Sequence, residues 1–189
     1  KDTRVLYGSV LIDGKIHQHP TPTRMFWRPD KMICEYEIGD TLIREEKFIG
    51  SNDAAASIIT SSRPIVLQFE GRSLLIRHSV SSTAKIKYEL AANTILITEG
   101  GTVRSRPDPD GPERIGPIVY EGMTTALSCS KDFSKSIKVD KGERGERKYF
   151  FEVPCDPKGA TISWAMNDDP QKALLERKTF PVNVPARKS

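Results

Sequence analysis

Long apolar runs are missing from this chain. The longest are only a few residues, such as Ile65-Val66-Leu67, whereas a membrane-spanning helix needs about 20 predominantly apolar residues. No membrane span is expected, and the chain reads as soluble. Cysteine is scarce as well. Cys34, Cys129 and Cys155 are the only three, too few and too scattered for a disulfide framework or a zinc site. All three lie in or beside strand-like runs, where buried free thiols are expected. Unpaired thiols also fit poorly with a long extracellular life.

Charge of one sign is lacking too. The 29 basic and 25 acidic residues leave a net charge of +4, spread along the chain. Even the densest basic stretch, Lys141 to Lys148, has acids between its bases. Nucleic-acid binders present a one-signed face, so nucleic acid is not an expected partner. There is no internal repeat of fixed period. The chain begins Lys1-Asp2-Thr3 with neither Met nor an apolar signal core, as expected of a chain whose leader has been removed or of an excised piece.

Catalytic motifs are absent by the same reading. No Gly-x-Ser-x-Gly elbow occurs, and no thiol stands near a histidine in sequence. "GGTVRS" (Gly100 to Ser105) lacks the Lys-Ser/Thr ending of a phosphate loop. His17 and His19 are two apart, a spacing that puts both on one face of a strand, but His78 is distant and no acid or thiol completes a ligand set. No metal or other cofactor is called for. Asp30, Glu35, Glu37, Glu45 and Glu46 could each be offered for glycoside hydrolysis. That chemistry needs two facing carboxylates, which a sequence does not display. The chain alone is a poor candidate for a catalyst.

What is present is a series of strand-like runs with turn signals about every ten residues. "RVLYGSVLI" leads into Asp13-Gly14, a strong hairpin turn, and "KIHQH" returns from it. In "KMICEYEI", Met32, Cys34, Tyr36 and Ile38 share one parity and Glu35 and Glu37 the other, the pattern of a half-buried antiparallel strand. "TLIREEKFI", "AASIITSS", "PIVLQFEG", "SLLIRHSV", "AKIKYEL", "TILITEG", "TVRSR", "IVYEGMTTALSCS", "SIKVD", "KYFFEVP" and "ATISWAM" continue the series. The loop Pro107 to Pro117, rich in proline, is expected to be exposed and irregular. About a dozen strands without intervening amphipathic helices predict an all-β fold, a large antiparallel two-sheet sandwich. "DDPQKALLERKTF" (Asp168 to Phe180) carries a capping Asp and a Pro at the first helical position. The expected organisation is a sandwich over residues 1–169, then a short helix and a basic, proline-spaced linker over 170–189.

The aromatic-cationic knot Phe26-Trp27-Arg28, followed by Asp30, is the one candidate binding group. An indole can stack on the C–H face of a sugar ring while Arg28 and Asp30 grip hydroxyls. The alternative is that Phe26 and Trp27 bury in the sandwich, with Arg28 and Asp30 paired at its surface. Trp164 alternates with Ile162 and Met166 and belongs to the core by pattern.

From "SNDAAASIITSSRPIVLQFEGRS" (Ser51 to Ser73) onward a family likeness emerges. A strand, "SSRP", an apolar strand and Phe69-Glu70-Gly71-Arg72-Ser73 resemble the N-terminal β-sandwich, or supersandwich, domain of (α/α)-barrel glycoside hydrolases of the processing-glucosidase and trehalase-like clan. "TEGG" (Thr98 to Gly101), "GPIVYEGM" (Gly116 to Met123) and "ISWAMNDD" (Ile162 to Asp169) extend the likeness over Met25 to Asp169. The resemblance implies a non-catalytic domain packed on a helical barrel that carries the catalytic acid and base. That barrel is not among these residues. It implies a parent enzyme that hydrolyses a glycosidic bond in the periplasm or outside the cell, and it makes "FWRPD" a candidate wall of the active-site mouth. A stand-alone carbohydrate-binding or adhesion module is the alternative, and an envelope assembly protein a further one. The expected partners are therefore a carbohydrate or a catalytic barrel domain.

Overall fold

The computed structural model describes residues 7–50, 53–72, 79–103, 118–141 and 147–176. Within them the chain is a sandwich of two antiparallel sheets. The small sheet has the order β11-β12-β7-β1-β2 and the large one β3-β4-β5-β6-β13-β10-β9-β8. In chain order the strands are β1 (Tyr7–Ile12), β2 (Lys15–Gln18), β3 (Arg24–Arg28), β4 (Lys31–Ile38), β5 (Thr41–Ile49), β6 (Ala54–Ser61) and β7 (Ile65–Arg72). They continue as β8 (Ser79–Glu89), β9 (Thr94–Val103), β10 (Ile118–Cys129), β11 (Lys138–Lys141), β12 (Arg147–Cys155) and β13 (Ala160–Asn167), and the helix α1 (Pro170–Glu176) ends the series.

Local chemistry accounts for the hairpins. Asp13 and Gly14 both take positive φ, 50° and 77°, the mirror-image turn whose twist matches the strands it joins. Asn93 occupies the left-handed region at 44° and closes the short 3₁₀ turn before β9. Its amide donates to the carbonyls of Cys129 and Lys131 at 2.9 and 2.7 Å, and its oxygen accepts the Tyr88 hydroxyl at 2.8 Å. Asp169 caps α1, accepting the Gln171 amide at 2.8 Å, with Pro170 at the first helical position as its sequence required.

Alternation fills the space between the sheets. Val10, Ile12, Leu67, Phe69, Phe151 and Val153 face inward from the small sheet, and Ile43, Ile59, Ile95, Ile97, Leu127 and Ile162 from the large one. Cys34 and Cys155 are buried and Cys129 half-buried, all three as free thiols. The large sheet is the wider by three strands, eight against five, and it ends at β3, whose five residues are all exposed.

Several expectations change. The segment that holds the aromatic-cationic knot, absent from the expected strand series, is the strand β3, because Pro22 and Pro29 both fall outside it and an edge strand tolerates them there. His17 lies in β2, but His19 follows it with φ of 43°, so the two do not share a strand face. The loop Pro107 to Pro117, His78 and the linker beyond Glu176 lie outside the described residues. Among the described residues no helix is long and apolar enough to cross a membrane.

Candidate functional site

The predicted knot sits on the β3 edge. Trp27 is 77% exposed and Phe26 49%, so neither fills the core and the alternative of a buried plug is overturned. Strand alternation also divides the group. Met25 pairs with Cys34 and Trp27 with Met32, which puts both on the face that carries Tyr36. Phe26 pairs with Ile33 and Arg28 with Lys31 on the opposite face. Asp30 lies in the two-residue turn to β4. The structure thus brings Trp27 together with Met25 and separates it from Arg28.

The five carboxylates offered for hydrolysis are likewise divided. Glu35 and Glu46 share the outer face of β4 and β5 with Arg44, which donates to Glu35 Oε1 at 3.0 Å and to Glu46 Oε1 at 2.9 Å. Lys31 Nζ reaches Glu46 Oε2 at 2.7 Å. Burial raises the Glu46 pKa, but hydrogen bonds and charge from Lys31 and Arg44 outweigh it and leave the pKa lowered. These charges compensate one another on a solvated face. Glu37 is exposed.

Glu45 alone of this group turns inward. It shares a parity with Thr41 and Ile43, both buried, and stands among hydrophobic side chains. Its surroundings satisfy it from three sides. Oε2 accepts the Tyr36 hydroxyl at 2.8 Å and meets Lys47 Nζ at 3.2 Å, while Oε1 accepts the Ser57 hydroxyl at 2.9 Å. β4 supplies Tyr36, β5 supplies Glu45 and Lys47, and β6 supplies Ser57. The register sets Lys47 directly opposite Ser57. Burial first, then the charge and hydrogen bond of Glu45, push the Tyr36 phenol far above its ordinary value of 10.0. Tyr36 therefore stays a neutral donor to the carboxylate.

This cluster floors a cleft of about 450 Å³ between the two sheets. Val10, Leu67 and Phe69 line it from the small sheet, and Ile43, Ile59, Ile162 and Trp164 from the large one. His19 and Pro20 stand at one side. His19 Nδ1 lies 3.2 Å from the Gly8 carbonyl, and since a carbonyl only accepts, that nitrogen carries the proton. Trp164, expected in the core, packs on it in part and shows the rest of its indole to the cleft. Among the described residues no three His, Cys, Asp or Glu side chains gather as a metal site. Sequence reasoning missed the cleft. The signal that could have found it was charge at 45 and 47 on the inward parity of an otherwise apolar strand face.

No protein-family profile matches the chain, and no curated protein sequence does so at significance. Solved structures that align with the chain include two large proteins. A polysaccharide lyase aligns with a TM-score of 0.47 and 12% identity over 92% of this chain and 27% of its own. A protein described as a kojibiose phosphorylase from human microbiome aligns with a TM-score of 0.41 and 11% identity, over 90% of this chain and 23% of its own. The chain spans about a quarter of the length of either protein. At this distance neither likeness assigns it an activity.

Proposed function

We propose that the chain is a non-catalytic sandwich domain of a carbohydrate-active enzyme, which packs on a catalytic helical barrel and shapes its substrate entrance. The observation that carries this reading is the uncovered edge of the large sheet, where Met25 is 62% and Trp27 77% exposed on one face. Two neighbouring large apolar side chains left in water suit a surface made to be covered by a partner. The sequence likeness to supersandwich domains supplies the kind of partner, a helical barrel that bears the acid and base. A periplasmic or secreted location belongs to the same proposal.

The test joins the chain to the coding sequence downstream of Ser189. The expected product has a second, helical domain and hydrolyses glycosidic bonds, whereas the 189-residue chain alone does not. Trp27→Ala in the joined protein should weaken domain packing, read as separate melting transitions. A downstream sequence with no helical domain, or hydrolysis by the isolated chain, overturns the proposal.

A second reading draws on the same indole. A stand-alone carbohydrate-binding module would use exposed Trp27 as a stacking platform with Arg28 and Asp30. Strand alternation sets Arg28 on the other face, which favours the first reading. Glycan binding by the isolated chain that Trp27→Ala abolishes would reverse that order.

A further inference from the structure

We propose that the cleft between the sheets binds a small, uncharged, polyhydroxylated ligand of single-sugar size. Trp164 would be its apolar wall and the Tyr36–Glu45–Lys47–Ser57 cluster its polar floor. The proposal does not rest on the accessory-domain reading, which concerns the β3 edge and not the space between the sheets.

Four observations meet at this place. First, a sandwich interior is ordinarily apolar, and polar groups buried there cost free energy unless paired. Three adjacent strands nevertheless direct four polar side chains onto one patch of the inner face. Second, their mutual bonds leave further capacity. The Tyr36 and Ser57 O–H groups donate to Glu45 while their oxygens keep acceptor lone pairs, that of Tyr36 beside the Cys34 thiol, and the Lys47 ammonium has protons beyond the one it directs at Glu45. Alternating donors and acceptors are what vicinal hydroxyls match.

Third, the floor is self-neutralised, with one carboxylate and one ammonium 3.2 Å apart. A ligand with net charge would lose its hydration and find no uncompensated charge in return, so the cleft selects against ions. Fourth, the volume of about 450 Å³ lies toward the lower end of the range of small-molecule sites, about 300–1,000 Å³. The indole of Trp164 can cover the C–H face of such a ligand.

The experiment uses the full chain carrying Trp27→Phe. The chain has two tryptophans, so this leaves Trp164 as the only indole reporter. D-glucose, D-galactose and D-xylose are titrated against its fluorescence, with D-glucuronate and D-glucosamine as charged counterparts. The expected result is a saturable change with at least one neutral sugar and none with the charged pair. On the same background, Glu45→Gln should weaken the neutral sugar about tenfold. It should also create a response to glucuronate, because Lys47 is then uncompensated.

Ser57→Ala keeps the charge pair and removes one hydroxyl. It should weaken the neutral sugar without gaining glucuronate, which keeps the test decisive if Glu45→Gln fails to fold by circular dichroism. The proposal is overturned if no neutral sugar gives a saturable response, if the charged sugars bind equally well, or if Ser57→Ala leaves the affinity unchanged. Trp27 is already replaced throughout, so success or failure here is separate from the fate of the docking surface at β3.

Discussion

Phe151 stacks on Phe69, its cross-strand partner in the small sheet, with ring centroids 5.2 Å apart and 23° between the ring planes. Phe133, reaching in from the segment after β10, meets Phe151 at 4.6 Å. Phe133 in turn meets Tyr88 of β8 in the large sheet at 5.3 Å, so the fully buried Phe151 ends a chain of rings that links the two layers. Phe151→Ala is expected to destabilise the domain by about 3–5 kcal/mol, the cost of lost transfer energy and the cavity left behind. Urea denaturation measures it, and a loss below about 1 kcal/mol would mean that the neighbouring rings collapse into the space.

Ser61 presents the opposite case. Its hydroxyl is the one buried side-chain polar atom among the described residues that has no hydrogen-bond partner. Removing an unsatisfied buried group relieves its desolvation cost. Ser61→Ala should therefore stabilise the fold by about 1 kcal/mol, seen as a higher urea midpoint at unchanged slope. A lower midpoint would point to a bound water that the hydroxyl holds.

Acid should act through the outer face of β5. Glu46 is held below its ordinary pKa of 4.5; burial opposes the shift, while Lys31 and Arg44 drive it. A lowered folded-state pKa contributes stability that is complete above the unfolded value and is lost as pH falls through the folded one. Lys31→Met should thus cost stability near neutrality, and the gap from the parent should close as pH drops below 4.5. The Lys31 ammonium also lies over the Phe48 ring, 5.5 Å from its centroid. A gap independent of pH would assign the effect to that contact.

The thiols should be inert. Burial pushes both Cys129 and Cys155 up to about 11, and Cys34 is almost wholly buried. A thiolate is the reactive form, so a thiol reagent such as DTNB at mildly alkaline pH should label the three only as the chain unfolds. Rapid labelling of the native protein at any one of them would mark a local opening of its strand.

The hairpins and strand parities were legible in the sequence because they are local. Asp13-Gly14 dictates its own turn, and the alternation of Met32, Cys34, Tyr36 and Ile38 against Glu35 and Glu37 needs only a period of two. Sheet order was not legible, since β13 enters between β6 and β10 through contacts far apart in sequence. Trp27 and Arg28 look like one group on paper, yet a strand turns adjacent side chains to opposite faces, and β3 was hidden between two prolines. Glu45 and Glu46 stood side by side as two of five equivalent carboxylates. Only the register, which sets one inward and the other outward, gives them different chemistry.

The β3 edge carries one more consequence. An exposed strand with free backbone groups and the sequence Met25-Phe26-Trp27 is a template on which another molecule can extend the sheet. Arg24 and Arg28 bracket that triplet. Two copies meeting antiparallel about Phe26 would set Arg24 against Arg28 twice, and like charges directly opposite across strands are destabilising. In that register the two arginines oppose the pairing of this edge with a second copy of itself.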